Sequence, residues 1–352
     1  MFSSAEVRVD AEFGVVIVAK PEHVHWAKGT LASVRYFMED TPLCLLLDGE
    51  RVPRDLETVH NLRIIRRSDV DDPELRELSF GGFALKNAVH WIAPFETFLY
   101  LDADTVVWGD LRVHCDLERF DFILDAPIGD PVQVRGYVMD AEDVGRRFPR
   151  FDARRYVARY VNTGAYFARR GVLERDQYLE LLRLSWKEPG LFRGGDQGIF
   201  NFMVFSGADA GALRVTHKEL QIVTGTTSRE TVVRRFAFAE GRPRLVGEPI
   251  ALHWAGSAKP TVRAGRTDYF EPMTFFRRQF RVALHGHDEP TIWDELRLRS
   301  EDMLSSDFRG SNLRGRLNGM RRRWRHRYAQ ARVGIRAHTP DWMMRSVFRR
   351  SS

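Results

Sequence analysis

The sequence predicts an α/β fold, a Rossmann-like arrangement in which a mainly parallel sheet is flanked by helices. The main observation is an alternation: short apolar runs are followed by stretches whose apolar residues recur at helical spacing. A second observation is size, because 352 residues with 43% hydrophobic content can bury one large domain and leave an appendage.

The first hundred residues alternate between the two patterns. Strands are predicted at residues 15–19, 43–47, 62–65 and 98–101, and helices at residues 25–38 and 83–92. In a sheet of this type, ligands bind beyond the carboxyl ends of the strands. The residues that directly follow Leu101 are therefore the first place to look for a functional site.

Further along, the alternation continues and then stops. The predicted elements are a segment at 160–167, a helix at 174–186, a helix beginning near Gly198 and a strand at 250–254. After Pro260 the strand signals end, and helices are predicted at 272–284 and 292–304. The predicted domains are residues 1–260, which hold the sheet, and residues 261–352, a helical C-terminal region.

Charge is distributed unevenly along the chain. The net charge is +6, yet residues 308–352 contain thirteen arginines and one acidic residue, so the remainder is acidic. Apolar residues of this tail recur at spacings of three and four, which places them on one helical face; they are Leu313, Leu317, Met320, Trp324, Tyr328, Ala331 and Ile335. A basic amphipathic tail predicts contact with an anionic membrane surface.

Two other interpretations of the tail remain open. Its apolar stripe can pack against the domain that holds the sheet, and the glycines at 315 and 319 weaken the predicted helix. The arginines at 321–323 also suit a nucleic-acid backbone, but no recognition motif accompanies them. Nucleic acid is therefore the least favoured partner.

Targeting signals and cysteines restrict the location. No stretch of about 18 uncharged apolar residues is present, and residues 1–13 carry charged side chains before any apolar run, unlike a secretory signal. We expect a cytoplasmic protein that the tail attaches to the inner face of the cell membrane. Cys44 and Cys115 are too few for a disulfide framework.

Two acids follow the predicted strand at 98–101. If the extended geometry continues, Asp102 and Asp104 project to the same side. Two carboxylates there repel each other unless a cation compensates, and Mg²⁺ or Mn²⁺ bound to such oxygens is usually completed by substrate phosphates. The pattern alone also fits two surface acids, so its position after a strand is what favours a metal site.

A third candidate ligand is His253, at the end of the predicted strand at 250–254. An imidazole beside carboxylates shifts the expected metal from Mg²⁺ toward Mn²⁺. Gly256 allows backbone amides to approach an anion, and Lys259 offers a positive charge to phosphate. The predicted cofactor is Mn²⁺, with Mg²⁺ as the alternative. A structural histidine before a turn is the ordinary interpretation of this segment.

Two further segments place amide and carboxylate side chains beside glycines. Asn162 precedes Gly164, and Asp196 and Gln197 follow Gly195. Such side chains can bind sugar hydroxyls, and the glycines leave room for a ligand. Each segment also has an ordinary interpretation, because Asp196 is a good helix N-cap and the residues at 162–164 can form a turn.

The order and spacing of these segments resemble glycosyltransferase family 8, the retaining GT-A enzymes that include glycogenin and bacterial lipooligosaccharide galactosyltransferases. The resemblance spans residues 15–260. Four motifs carry it: Phe98-Leu99-Tyr100-Leu101-Asp102-Ala103-Asp104-Thr105, Asn162-Thr163-Gly164, Gly195-Asp196-Gln197 and His253-Trp254-Ala255-Gly256-Ser257-Ala258-Lys259-Pro260. Four ordered motifs are more specific than any one of them.

The resemblance implies roles for individual residues. The metal ligands would be Asp102, Asp104 and His253. The donor-binding residues would be Lys86, Asn162, Gly164, Asp196, Gln197, Gly256 and Lys259. Of these, Asp196 and Gln197 would also be the catalytic residues, with Gln197 near the anomeric carbon of the transferred hexose.

By the same resemblance, the chain would be a metal-dependent retaining hexosyltransferase. It would move a hexose from a nucleotide diphosphate sugar, UDP-glucose or UDP-galactose, to a glycan or lipid-linked acceptor. The metal would stabilise the leaving diphosphate, so departure would need no general acid. The chain differs from the family where the nucleobase would bind. The family usually has an acidic residue and a tyrosine after the first strand, whereas this chain has Lys20-Pro21-Glu22-His23. His23 is the candidate to stack on the base.

Three other functions would use some of the same features. A nucleotidyltransferase would share the metal and the nucleotide but cleave between phosphates. A glycoside hydrolase would use the paired carboxylates without a metal. A non-catalytic protein that binds a membrane or RNA on a GT-A-like fold would turn over no donor.

Overall fold

The computed structural model describes residues 11–193, 195–256, 259–260 and 267–304. The predicted amphipathic tail lies outside the described residues, and so do Ser257 and Ala258 of the fourth sequence motif. Contacts between residues divide the chain into two compact units, residues 1–299 and 300–352. Of the second unit, only the end of one helix is described.

Strands and helices alternate along most of the described chain. The strands are β1 (Ala11–Ala19), β2 (Leu43–Leu47), β3 (Leu62–Arg66), β4 (Phe95–Asp102), β5 (Thr105–Trp108), β6 (Phe122–Leu124), β7 (Ala165–Arg169), β8 (Val215–His217), β9 (Gln221–Val223), β10 (Phe238–Ala239), β11 (Arg242–Pro243) and β12 (Ile250–His253). The helices are α1 (Val24–Met38), α2 (Arg54–Glu57), α3 (Pro73–Leu78), α4 (Leu85–Ile92), α5 (Pro131–Tyr137), α6 (Ala141–Arg147), α7 (Arg175–Lys187), α8 (Asp196–Asp209), α9 (Arg229–Arg235), α10 (Thr267–His285) and α11 (Ile292–Leu304).

The central sheet has seven strands in the order β3-β2-β1-β4-β7-β6-β8. Neighbouring strands run parallel except at β7, which is antiparallel to both β4 and β6. The predicted α/β fold with a mainly parallel sheet is therefore confirmed. A two-stranded hairpin, β10-β11, stands apart from it.

Each central strand is buried on both faces, which explains why its sequence is a continuous apolar run. In β1, Val16 and Val18 join the core formed with α4, α7 and α8, whereas Val15 and Ile17 join the core formed with α1. Successive side chains point to opposite faces of a strand, so one run serves two cores. Full burial of such a side chain stabilises the fold by about 1.5–3 kcal/mol.

The direction of the chain across the sheet reverses at β1. Strand β2 lies on one side of β1 and β4 on the other, and such a switch point opens a crevice at the carboxyl ends of the strands. Here β1 ends at Ala19 and β4 ends at Asp102, with Val18 opposite Asp102 in the register. The acids predicted as metal ligands thus lie at the edge where this fold class binds ligands.

A second, smaller sheet with the order β5-β12-β9 lies beside this edge. Strand β5 begins three residues after the last residue of β4, and its Thr105 pairs with His253 of the antiparallel β12. Strand β9 runs parallel to β12 on the other side, with Gln221 opposite Ala251. This pairing brings the end of β12 to the end of β4 from a distant part of the sequence.

Helix α10 packs against α1. A Cβ at Gly29 would overlap the sulfur of Met273, so glycine is needed for the close approach of the two helices. Aromatic contacts continue the interface, with the ring centroids of Tyr36 and Phe276 at 5.7 Å. The division into domains at residue 260 stays a prediction. In the described part of the chain, no helix has the length and apolar character needed to cross a membrane.

Candidate functional site

The two acids lie on a tight turn between β4 and β5. Asp102 is the last residue of β4, and Ala103 and Asp104 form the turn that leads to Thr105. The hydroxyl of Thr105 donates to the carbonyl of Asp102 at 2.7 Å, which holds the turn closed. The extended geometry ends at Asp102, so the turn and not strand alternation brings the two carboxylates together. Both residues are buried.

His253 reaches the acids from the end of β12. Its Nε2 lies 3.4 Å from Oδ2 of Asp102 and 3.6 Å from Oδ1 of Asp104. One ligand atom from each of the three residues lies within 4.8 Å of the other two. All three are buried, so each would meet a cation with little competition from water. Two carboxylates and one imidazole are a donor set that suits Mn²⁺.

Lys86 extends from α4 to the same acids. Its Nζ lies 2.8 Å from the carboxylate of Asp102 and 3.7 Å from Oδ2 of Asp196. Burial would lower the pKa of Lys86, but the charges of Asp102 and Asp196 outweigh burial and raise it. Lys86 is therefore a fixed positive charge at the crevice, where the resemblance places a contact to sugar or phosphate.

The carboxylate of Asp102 is held ionised by its neighbours. Burial would raise its pKa, but the charged and hydrogen-bonding neighbours, first of all Lys86, outweigh burial, and the pKa lies well below its usual range. The hydroxyl of Tyr100 also donates to Oδ1 of Asp102 at 2.6 Å. An ionised, oriented carboxylate is the form that binds a cation.

Lys259 is the partner of the other acid. Its ammonium group donates to the carboxylate of Asp104 and, at 3.2 Å, to the carbonyl of Trp254. Gly256 has a φ of 71°, a left-handed conformation that favours glycine, and a Cβ there would meet no atom within 4 Å. Lys259 thus reaches the acids from beyond β12, and Gly256 leaves its backbone open.

Asp196 and Gln197 begin α8 but point to different surroundings. The side chain of Asp196 is buried, and its Oδ2 accepts a hydrogen bond from the Thr163 hydroxyl at 3.3 Å. Burial raises the pKa of Asp196 against the opposing charge of Lys86. Gln197 is half-buried and donates from Nε2 to the carbonyl of Tyr137 at 3.3 Å. The structure groups Asp196 with the metal candidates, and Gln197 with the end of α5.

In the structure, Asn162 and Gly164 lie against other protein side chains. Oδ1 of Asn162 accepts from the backbone N–H of Gly164 at 2.9 Å and from Nε2 of Gln221 at 3.2 Å. A Cβ at Gly164 would overlap Nδ1 of His253 and lie 2.7 Å from Oε1 of Gln221. Glycine is therefore required here to leave room for the imidazole. Their predicted contacts to the donor sugar stay predictions.

Gln221 is a site residue that the sequence does not predict. Its Oε1 lies 3.0 Å from Nδ1 of His253, on the side of the ring away from the acids. The residue sits in a three-residue strand, β9, and no motif surrounds it. Only the pairing of β9 with β12 makes it a neighbour of His253, so sequence spacing held no signal for it.

A second aromatic side chain, besides the predicted His23, lies against the segment after β1. His23 packs against Trp26, with ring centroids 4.9 Å apart. Phe83, which precedes α4, is 56% exposed, and Nζ of Lys20 lies 4.3 Å from its ring centroid. An exposed aromatic ring thus lies beside the end of β1.

Comparison with known proteins leaves the family open. No protein-family model matches the sequence, and no curated protein matches it. Membership of glycosyltransferase family 8 therefore stays a resemblance of motifs.

Among solved structures, the chain is similar to several glycosyltransferases. The galactosyltransferase LgtC, bound to donor and acceptor sugar analogs, is 16% identical over 75% of this chain and 95% of its own, with a TM-score of 0.47. The bifunctional glycosyltransferase WbbM is 16% identical over 84% and 52%, with a TM-score of 0.48. GlyE of Streptococcus pneumoniae TIGR4 is 16% identical over 78% and 64%, with a TM-score of 0.46. At these values the similarity carries no inference about activity, which has to come from the site.

Proposed function

We propose that this protein is a metal-dependent glycosyltransferase that moves a hexose from a nucleotide diphosphate sugar to a glycan or lipid-linked acceptor. The observation that carries the proposal is the buried group Asp102, Asp104 and His253 at the switch point of a mainly parallel sheet. The ordered motifs of the sequence add the reaction class and the candidate donors, UDP-glucose and UDP-galactose.

Charge at the site supports an anionic ligand bound together with a cation. The carboxylates of Asp102, Asp104 and Asp196 face the ammonium groups of Lys86 and Lys259. With a neutral imidazole, these carboxylates and ammonium groups leave one negative charge in excess. A bound divalent cation would leave one positive charge in excess instead. A diphosphate would then be attracted to a site that otherwise repels it.

Each residue has a part in the proposed transfer. Bound at the three ligands, Mn²⁺ would act as a Lewis acid on the diphosphate as the bond to the sugar breaks. Lys86 and Lys259 lie beside the acids and would pair with phosphate oxygens. Asp196, next to Lys86, would accept hydrogen bonds from hexose hydroxyls.

Retention of configuration and a role for Gln197 belong to the proposal through the family resemblance. The acceptor hydroxyl would attack on the same face from which the diphosphate departs. Gln197 lies one residue beyond Asp196 at the start of α8, and its amide would turn from the Tyr137 carbonyl toward the sugar.

A panel of nucleotide sugars tests the proposal. We expect one UDP-hexose, together with Mn²⁺, to raise the melting temperature, because a ligand that binds only the folded state stabilises it by mass action. Slow hydrolysis of that donor should release UDP and free hexose. Release of a hexose 1-phosphate would instead identify a nucleotidyltransferase, and the absence of any shift across the panel would contradict donor binding.

We also propose that the basic tail contacts anionic lipid, so that the enzyme works at the inner face of the cell membrane on a lipid-linked acceptor. The support is the composition of residues 308–352 alone. The competing interpretations, packing on the catalytic domain and binding to RNA, are outcomes of the vesicle experiment described in the Discussion.

A further inference from the structure

The imidazole of His253 has two distinct faces. Nε2 points to the carboxylates of Asp102 and Asp104, and Nδ1 points to Oε1 of Gln221 at 3.0 Å. His253 and Gln221 are 3% and 5% exposed, so water competes little for either nitrogen. Which nitrogen carries the proton decides whether Nε2 offers a lone pair to a cation.

The surrounding hydrogen bonds determine the proton's position, starting from a backbone amide. The N–H of Gly164 can only donate, so the atom of Asn162 that it meets at 2.9 Å must be the side-chain oxygen. That oxygen and the Asn162 carbonyl are both acceptors, at 3.2 Å and 3.4 Å from the amide nitrogen of Gln221. The orientation of the Gln221 amide follows, with its nitrogen toward Asn162.

The oxygen of Gln221 must then face His253. A carbonyl oxygen accepts and cannot donate, so Nδ1 has to carry a proton. Nε2 faces the carboxylates of Asp102 and Asp104, and a cation bound between them would take the lone pair of this nitrogen. Each step depends on the preceding contact, and the first step starts from a donor whose identity is certain. The tautomer of His253 is thereby linked to Asn162 and Gly164.

The backbone of Gln221 is fixed independently of its side chain. The carboxylate of Asp125 accepts from the backbone N–H of Leu220 at 3.0 Å and of Gln221 at 3.1 Å. The N–H of Ala251 donates to the carbonyl of Leu220 at 2.8 Å, and the parallel pairing places Val223 opposite His253. Strand β9 therefore holds the Gln221 amide in register with the histidine.

We propose that Gln221 is a positioning residue that keeps a proton on Nδ1 of His253, so that Nε2 is the nitrogen that offers its lone pair to a divalent cation. Asn162 serves this arrangement by fixing the orientation of the Gln221 amide. The proton on Nδ1 follows from contacts within the protein, whereas its consequence for the cation rests on the metal site of the proposed function. Outer partners of metal-binding histidines commonly have this role.

Nitrogen-15 NMR of histidine in the full-length protein without metal tests directly whether Nδ1 carries a proton. The His253 signal is identified by its loss in His253→Gln, and spectra are recorded in mildly alkaline buffer. We expect a protonated Nδ1 in the wild type. In Gln221→Leu, which cannot accept, we expect the Nε2–H form to appear. Gln177→Leu, at an exposed glutamine of α7, is the matched control and should keep the wild-type signal.

Affinity for Mn²⁺, measured by electron paramagnetic resonance of the free ion, gives the second readout. Gln221→Leu should bind Mn²⁺ roughly 10- to 100-fold more weakly than the wild type, while Gln177→Leu stays close to it. A wild-type Nδ1 without a proton would overturn the inference, and so would a Gln221→Leu variant whose Nδ1 stays protonated and whose affinity is unchanged. If the wild type has a protonated Nδ1 but binds no Mn²⁺, the proposed function fails and the positioning role stands.

Discussion

At the scale of single residues, the candidate site depends on side chains that restrain one another. Tyr100 and Lys86 orient the carboxylate of Asp102, and Lys259 pairs with Asp104. Gly164 has the opposite function, because its missing side chain is the space that the His253 ring occupies. The spacing of the acids and the histidine could be read from the motifs. The need for glycine at this position could not, since it arises from a contact between distant segments.

Gly164→Ala tests whether that space matters. The added methyl group would overlap Nδ1 of His253 and approach Oε1 of Gln221, so the ring has to leave its position between Gln221 and the acids. We expect Mn²⁺ affinity to fall by roughly 10-fold or more, measured by titration calorimetry. Gly225→Ala is the control, because a Cβ at Gly225 would meet no atom within 4 Å. Equal Mn²⁺ affinity in the two variants would refute this role for Gly164.

At the scale of secondary structure elements, α4 connects the site to the core. Its Lys86 reaches the acids, while His90, one turn later, lies in a cluster of aromatic rings that includes Phe98, Phe122 and Phe200. Nε2 of His90 lies 3.3 Å from the hydroxyl of Tyr166. The buried end of α4 thus fixes the position of the end that carries the lysine.

Burial of His90 predicts a pH dependence of stability. Burial lowers its pKa from 6.5 to about 3, so the folded state keeps the ring neutral where the unfolded chain protonates it. The stability that depends on a neutral His90 is fully present at pH values above the pKa of the unfolded chain. It is lost as the pH falls toward the pKa of the folded state. Between about pH 6.5 and pH 4.5, the free energy of unfolding should fall by about 2–3 kcal/mol less in His90→Gln than in the wild type.

Urea unfolding at several pH values measures the effect. Because the two proteins share all other titrating groups, the difference between their slopes reports on His90 alone. His60→Gln, at an exposed histidine, is the matched control and should follow the wild type. A wild-type slope in His90→Gln would contradict the account of a neutral, buried ring.

The longer elements could be predicted from the sequence, and the short ones could not. Strand β2 and helix α11 have the predicted bounds because a continuous apolar run and a helical spacing each extend over enough residues. Strands β8 and β9 have three residues each, too few for any period to show. The small sheet that carries His253 and Gln221 therefore emerges only from the fold.

At the scale of the whole molecule, the tail, residues 308–352, differs in charge from the rest of the chain. The motifs and both cores lie within residues 11–260 and α10, whereas thirteen arginines lie in residues 308–352. The amino-acid composition alone predicts this uneven distribution of charge, because the number of arginines in a segment does not depend on how the chain folds. What the arginines contact depends on surfaces that residue spacing does not specify.

Truncation after Ser306 tests the proposed membrane contact. At low salt the full-length protein should sediment with vesicles that contain anionic lipid, and the truncated protein should remain in the supernatant. Added salt should release the full-length protein, because screening at about 0.1 M acts over about 10 Å. Unchanged sedimentation after truncation would contradict the proposal, and selective retention of RNA by the full-length protein would favour nucleic acid instead.

The central claim is that Asp102, Asp104 and His253 hold a divalent cation that sugar transfer requires, and donor turnover with and without that cation tests it most directly. The measurement is the rate of UDP release from a UDP-hexose with Mn²⁺ and with excess chelator. We predict that chelator abolishes the rate and that Asp104→Ala and His253→Ala lower it by about 100-fold or more. Asp116→Ala, at an acid that pairs with Arg119 outside the site, should keep the wild-type rate. Undiminished release in excess chelator would contradict the claim.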